Sequence, residues 1–364
     1  MTKLRAAGIR RPAKLKGKMR ASGIIKKAIC LILAAAAALT LVSCKREPAK
    51  RTAVYYDYFD TVITLTAYTD DAARFEEAKA EAEAVFSRLH RLFDIYNEYE
   101  GMVNLAAVNA SAGESVHVDG DIIDLLRRGK EYCALTGGAV NIAMGAVLRL
   151  WHECRAAAEA DPASARLPGE AELKSASEHC DINDLLIDEE NGTVKLADPE
   201  MSVDVGAIAK GYAADRAARA LSGYGFPFML NCGGAVTAYG AKPKGEAWKA
   251  GVTDPMNTEG YAAVAPITEG ALSTSGSYLR YFTVGGREYG HIIDPDTLYP
   301  AETIASVTVF VPGEGGACLS DALSTACFIL GTEKGMELII NCSGAEALFE
   351  STDGVISKTE GFPG

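Results

Sequence analysis

The run from Ala53 to Thr69, "AVYYDYFDTVITLTAYT", is rich in β-branched and aromatic residues and alternates in places, which marks the first strand region. Within three residues the period changes. From Ala72 to Phe93, the apolar residues Phe75, Ala78, Ala82, Val85, Phe86, Leu89 and Phe93 recur at helical spacing against a charged opposite face. A chain that switches period in this way is neither all-helical nor all-β. A second helix is expected from near Asp121 through Ile122, Leu125, Leu126 and Tyr132, stopping at Gly137-Gly138. "CRAAAEADPASARLPGEAEL" is polar and Ala-rich with two prolines, and reads as a surface excursion or a helix end. "LLIDEENGTVKLA" signals a hairpin, with Asn191-Gly192 as the tight turn. A helix over Val205–Leu221, a strand in "FPFMLNCGG", β-rich stretches to Ile293, a strand in "SVTVFVP" and a helix around Asp321 follow. The rhythm is not a clean βαβ alternation, and no period of 20–50 residues repeats. The expected class is α+β or mixed α/β, and 364 residues, 48% of them hydrophobic, are ample for a sizeable core.

Charge divides the chain. Residues 1–43 hold ten Lys and Arg and no acid, which leaves 26 basic against 48 acidic residues beyond them. So acidic a body lacks the cations that neutralise phosphates, and nucleic acid is not expected as a partner. The basic N-terminal stretch ends at "IIKK" and runs into "AICLILAAAAALTLVSC", the charged, apolar and small-residue sections of a secretory leader. Its apolar core, Ala28 to Val42, is short for a bilayer span. "KREPAKRTA" after Cys44 reads as a tether. Beyond Cys30 and Cys44 there are seven cysteines, with no CxxC pair; most sit in apolar stretches, as buried free thiols do. So many unpaired thiols beyond a secretory leader point to a reducing habitat.

Four stretches can carry chemistry. In "SVDVGAIAKGYAADRAARAL", Asp204 stands where a helix should begin and can cap it, Gly206 allows close backbone approach, and the first-turn amides with Lys210 suit an anion. An ordinary capped amphipathic helix explains the same residues. In "LSDALSTACF", Asp321 and Thr325 at i and i+4 share one helix face, a partial oxygen set of the kind Mg²⁺ takes before phosphates and water complete it. In "YGHIIDPDT", His291 is either a core histidine or a general base, whose rate dependence would break near pH 6.5 if unperturbed. His90, His117, His152 and His179 lie in surface-type helices or loops and read as structural. "NCGGAVTAYG" and "ALSTSGSYLRYF" put small residues at strand ends, where a flat ligand or its phosphates can approach.

Taken in order, "FDTVITLTAY", "VNIAMGAVLRLW", "VDVGAIAKGYAADRA", "NCGGAV", "WKAGVTDP", "STSGSYLRYF", "HIIDPDT" and "SDALSTA" resemble the ApbE family over Tyr55 to Leu348. "LVSC" at Leu41–Cys44 also resembles the lipobox of bacterial lipoproteins. The family resemblance implies one body of mixed and antiparallel sheets packed with helices, T-fold-like, and an FAD:protein FMN transferase. The chain would divide into a lipoprotein-type signal peptide (1–43), a tether (44–54), the transferase domain (55–350) and a C-terminal tail (351–364). It would sit on the outer face of a bacterial cell membrane through a lipidated Cys44.

The resemblance also implies residue roles. Asp321 and Thr325 match the magnesium ligands, and Ala207 matches a position that lends its carbonyl to the metal. Asp204 and Lys210 match positions that contact FAD. His291 matches the proposed catalytic base, with Ile292 beside it near the flavin. Tyr96, Asn141, Ile142 and Ala143 fall near flavin- or adenosine-contacting positions. Phe59-Asp60-Thr61 stands where many members have Met-Gly-Thr, Asn141 where Asp is usual, Ala235 in place of an Asn, and Leu298-Tyr299 in place of a Gly. The expected acceptors are exported or membrane flavoproteins, such as subunits of Rnf complexes and sodium-pumping quinone reductases, or small FMN-binding domains. A Mg²⁺-dependent FAD pyrophosphatase, with water as nucleophile, suits the same residues; a flavin-binding lipoprotein without catalysis is a second alternative, against which His291, Asp321 and Thr325 together count, since a carrier needs no base.

Overall fold

The alternating run that opens the body folds back on itself. β1 (Lys50–Tyr58) and β2 (Thr61–Tyr68) pair antiparallel, and they bury Ala53, Tyr55, Ile63, Leu65 and Ala67 on one face. The turn between them uses left-handed backbone at Phe59 (φ 54°) and Asp60 (φ 51°). The structure, a computed structural model, describes residues 47–278 and 280–364; the expected signal peptide and Cys44 lie outside the described residues. Strand β1 starts inside the segment expected to be a tether, since Lys50 already pairs with Tyr68.

α1 (Ala72–Phe93) has the bounds that its apolar spacing predicts, and the Asp71 side chain accepts the Arg74 N–H at its start. α2 (Leu105–Ala110), β3 (Ser115–His117), α3 (Gly120–Leu135), α4 (Gly145–Ala160) and α5 (Glu170–Ser177) follow. The expected hairpin forms as β4 (Leu185–Asp188) and β5 (Thr193–Leu196), with Gly192 at φ 65°, and β3 completes that small sheet. α6 (Ala209–Ser222) begins four residues later than the periodicity of Val205–Leu221 predicts. Its first residues are held in turns, and the consequence appears at the site.

β6 (Phe228–Cys232), β7 (Ala235–Tyr239), β8 (Trp248–Asp254), β9 (Asn257–Ile267), β10 (Gly270–Gly276), β11 (Tyr281–Val284), β12 (Arg287–Gly290), β13 (Ser306–Pro312), α7 (Ala317–Asn341), β14 (Glu346–Glu350) and β15 (Ile356–Lys358) complete the order. The main sheet has eight strands, β1-β2-β6-β7-β10-β13-β14-β15, all antiparallel to their neighbours. β15 lies in the segment expected as a tail; Ile356 pairs with Glu350, and Phe362 is buried, so the body extends past residue 350.

One face of the sheet carries α1, α6 and α7; the other carries the β8–β9 ribbon, whose Trp248, Ala250 and Val252 pack with Leu272 and Leu348. Serines tie α7 to the sheet, Ser320 to Ser273 at 2.8 Å and Ser324 to Ser275 at 2.9 Å. The seven described cysteines are all free, and five are buried, as their apolar surroundings suggest. No helix of the described residues is long and apolar enough to cross a membrane.

Candidate active site

Between α4, the start of α6, the ends of β2 and β10, and the β11–β12 flap lies a cavity of about 810 Å³. That is in the size range of small-ligand pockets. Ten of the eleven residues singled out in the sequence line it: Tyr96, Asn141, Ile142, Asp204, Ala207, Lys210, His291, Ile292, Asp321 and Thr325. Ala143 does not; its side chain is buried and its N–H is taken by Asn141 Oδ1 at 2.9 Å.

The late start of α6 organises one wall. Asp204 does not cap that helix; its Oδ1 accepts the Gly206 N–H two residues on, at 2.8 Å, and closes a turn. Gly211 N–H, which a helix begun at Val205 would give to the Ala207 carbonyl, goes instead to Asp321 Oδ2 at 3.0 Å. Among the described residues no backbone N–H reaches the Ala207 carbonyl. Lys210 Nζ stands 3.6 Å from Asp321 Oδ2 and donates to the Gly206 carbonyl at 3.3 Å. Burial pushes the Asp321 carboxyl up from the usual range; Lys210 and the Gly211 N–H oppose it. Burial does the same to Asp204, opposed first by the Gly206 N–H.

Thr325 Oγ1 donates to the Asp321 carbonyl at 3.1 Å, so toward Ser275 Oγ, 3.4 Å away, it can only accept, and one lone pair remains for another partner. No cluster of three or more His, Cys, Asp or Glu that could hold a metal exists among the described residues. What the site does offer is all oxygen: a free carbonyl at Ala207, one buried carboxylate at Asp321 and the Thr325 hydroxyl. Such a set suits a hard cation that keeps water or phosphate in its remaining positions. It does not suit zinc or copper.

His291 Nδ1 donates to the Arg280 carbonyl at 3.2 Å, which leaves Nε2 with the lone pair. Burial lowers its pKa to about 4, and the Arg280, Lys210 and Arg155 charges push the same way. The ring therefore stays neutral through the whole neutral range, and the break that an unperturbed ring would show near 6.5 moves down with it. Ile292, beside it, is buried.

Two histidines read as structural also line the cavity. His90 Nδ1 accepts the Phe59 N–H at 3.2 Å, and His152 stacks on Tyr96 with ring centroids 4.6 Å apart. His117 and His179 lie away from the cavity: the first bonds the Asn191 carbonyl, the second pairs with Asp198 at 2.6 Å. Sequence reasoning also missed Arg155, 3.0 Å from His152 Nδ1, and Arg280, whose guanidinium donates to the Asp60 carbonyl at 2.8 Å. For Arg155 a signal existed: Met144, Leu148, Trp151, His152 and Arg155 follow helical spacing, and all five line the cavity. Arg280 had no comparable signal.

The departures from the resemblance have a structural content. Asp60 and Leu298 stand where glycine is usual, and both keep a left-handed backbone, φ 51° and 64°. Leu298 is held by Trp151 Nε1, which donates to its carbonyl at 2.9 Å. Asn141 uses its amide nitrogen to donate to the Cys180 carbonyl at 2.9 Å, a bond an ionised aspartate cannot make.

Comparison with known proteins agrees with this picture. The sequence model of the ApbE family matches residues 59–349. The FAD:protein FMN transferase of Treponema pallidum is 34% identical over 310 residues, which cover 78% of this chain and 83% of that one. The FAD:protein FMN transferase of Haemophilus influenzae is 28% identical, over 92% of this chain and 96% of that one. The crystal structure of the ApbE protein of Thermotoga maritima superposes with a TM-score of 0.76 at 28% identity, covering 86% of this chain and 97% of that one. The apo flavinyl transferase ApbE of Pseudomonas stutzeri gives 0.72 at 25% identity, covering 87% and 96%. With the family pattern running through nearly the whole described body and the fold shared with these structures, the chain belongs to the ApbE family.

Proposed function

We propose that this protein is a Mg²⁺-dependent FAD:protein FMN transferase, acting on a Thr or Ser hydroxyl of an exported or membrane flavoprotein. The observation that carries the reading is the union, in one cavity, of a neutral His291 with a free Nε2 and the oxygen set of Ala207, Asp321 and Thr325. Ala207, Asp321 and Thr325 would hold Mg²⁺, which neutralises pyrophosphate charge and stabilises the departing AMP. His291 takes the proton of the acceptor hydroxyl as its oxygen attacks the FMN-side phosphorus of FAD. The bond from that phosphorus to the AMP oxygen breaks, so the products are a phosphoester-linked FMN, AMP and a proton. Lys210, Arg155 and Arg280 set positive charge around the cavity, as a dianionic pyrophosphate requires.

The test incubates the protein with FAD, Mg²⁺ and a candidate acceptor, and weighs the acceptor. A mass gain of one FMN is expected. AMP and free FMN without an acceptor gain mark the pyrophosphatase reading; FAD recovered intact marks a carrier. Acceptors among Rnf and quinone-reductase subunits or small FMN-binding domains follow from the family chemistry.

We further propose export and lipid anchoring, on the strength of "LVSC" after a basic and apolar leader. The membrane fraction should yield protein whose first residue is a lipid-modified Cys44, and Cys44→Ala should block lipidation. A membrane-bound form with its N-terminus intact would overturn cleavage at that cysteine.

A further inference from the structure

Helices α6 and α7 meet at their N-terminal turns, and each gives the other a carboxylate. Asp321, one turn into α7, accepts the Gly211 N–H of α6 at 3.0 Å. In return Asp215 of α6 accepts the Ala317 N–H on Oδ1 at 2.9 Å and the Cys318 N–H on Oδ2 at 3.0 Å. These two amides open α7, whose flanking residue, Gly316, has no side chain to cap them. The approach is close: a Cβ on Gly211 would stand 2.3 Å from the Ala317 carbonyl oxygen. The Ser320–Ser273 and Ser324–Ser275 bonds hold α7 down on β10. Neither of those bonds fixes where α7 starts relative to α6. Asp215 does, beside a weaker contact of Cys318 Sγ with the Ile208 carbonyl at 3.7 Å, and across that junction Asp321 stands 3.6 Å from Lys210 Nζ.

We infer that Asp215 is a positioning residue for the cation site, holding Asp321 in register with Ala207 through its two bonds to the first turn of α7. The inference rests on the reading of Ala207, Asp321 and Thr325 as cation ligands. Asp215 itself does not line the cavity. Its effect should resemble that of other groups that orient a metal ligand, whose loss weakens metal affinity about 10–100-fold.

The experiment titrates Mn²⁺ into the full chain with FAD present and counts free Mn²⁺ by electron paramagnetic resonance. The set is the parent, Asp215→Asn, Asp215→Ala and Asp321→Ala. The parent should show one tight site that Asp321→Ala removes. Asp215→Asn keeps an acceptor for one of the two amides, and should weaken Mn²⁺ about 10-fold; Asp215→Ala should weaken it by up to about 100-fold. FMN transfer should recover toward the parent rate at saturating Mn²⁺, with FAD affinity in the absence of metal unchanged. A lowered melting temperature with parental Mn²⁺ affinity would make Asp215 merely structural and overturn the inference. Should Asp215→Ala fail to fold, the near-isosteric Asp215→Asn decides. A parent without any Mn²⁺ site would instead overturn the cation reading itself.

Discussion

A His291→Ala variant is expected to bind FAD about as well as the parent and to transfer FMN roughly 10²–10⁴-fold more slowly. The size of the effect follows from what the ring can do where it stands. Its Nδ1 proton is committed to the Arg280 carbonyl, so Nε2 is the basic atom. With its pKa lowered to about 4 by burial, the ring has no proton to lose before it can accept one. The acid limb of kcat/KM should therefore lie near pH 4, well below the usual histidine range. Stability has the same direction. The unfolded ring binds a proton at about 6.5 and the folded one only near 4, so the neutral ring's contribution is complete above 6.5 and is lost as pH falls through 4. The measurement is single-turnover FMN transfer for both forms from pH 4 to 8, with FAD affinity followed by flavin fluorescence. Equal transfer rates would remove His291 from the base role. Asp294, the carboxylate three residues on, is poorly placed to inherit it: it does not line the cavity, and its Oδ1 accepts the Asp296 N–H at 2.9 Å.

Periodicity located α1 to the residue, because its buried stripe of Phe75, Ala78, Ala82, Phe86 and Leu89 is uninterrupted and Asp71 marks its start. It misplaced the start of α6 because Val205 and Ile208 are buried in helical phase while the backbone there is in turns. Apolar spacing reports burial, and burial alone does not say whether a residue's N–H is given to the helix. That distinction matters here, since the amide withheld from Ala207 is the one that reaches Asp321. The strand count suffered from a different cause. The turn at Phe59-Asp60 carries no glycine, so the left-handed backbone that breaks the first strand region in two has no sequence mark.

The site was legible through the order of its motifs. Asp321 with Thr325, and His291, are each ordinary alone and take their meaning from the series in which they stand. Arg155 and Arg280 were not legible, because an arginine in an Ala-rich helix or a polar loop is an ordinary surface residue until the fold turns it inward. His90 and His152, on the helices Ala72–Phe93 and Gly145–Ala160, likewise carry no mark in the sequence that they face the cavity. The residue type of Asp204 suits a helix cap, yet its partner is Gly206. Propensity named the kind of bond and not the element that receives it.

Asp321 permits a sharper separation of chemistry from folding than His291 does. Asp321→Ala should lower Mg²⁺-dependent FMN transfer by about 10²-fold or more, the scale of losing a group that stabilises developing charge. It also leaves the buried Gly211 N–H without its acceptor, at a cost of about 1–3 kcal/mol in stability. The fold should survive that, because Asp215 and the two serine pairs still hold α7. Asp321→Asn divides the two effects. Its carboxamide oxygen still accepts from Gly211, but the charge is gone. Burial raises the Asp321 carboxyl, so in metal-free protein its ionised form weighs against folding, increasingly as pH rises above the unfolded carboxyl range of about 4. The Asn variant escapes that cost. Urea midpoints measured at pH 7 without metal should therefore place Asp321→Asn at or above the parent and Asp321→Ala below it, while both fail in transfer across a Mg²⁺ titration. Normal Mg²⁺-dependent turnover by Asp321→Asn would mean that the carboxylate holds only the helix junction, and the cation would have to be sought elsewhere in the cavity.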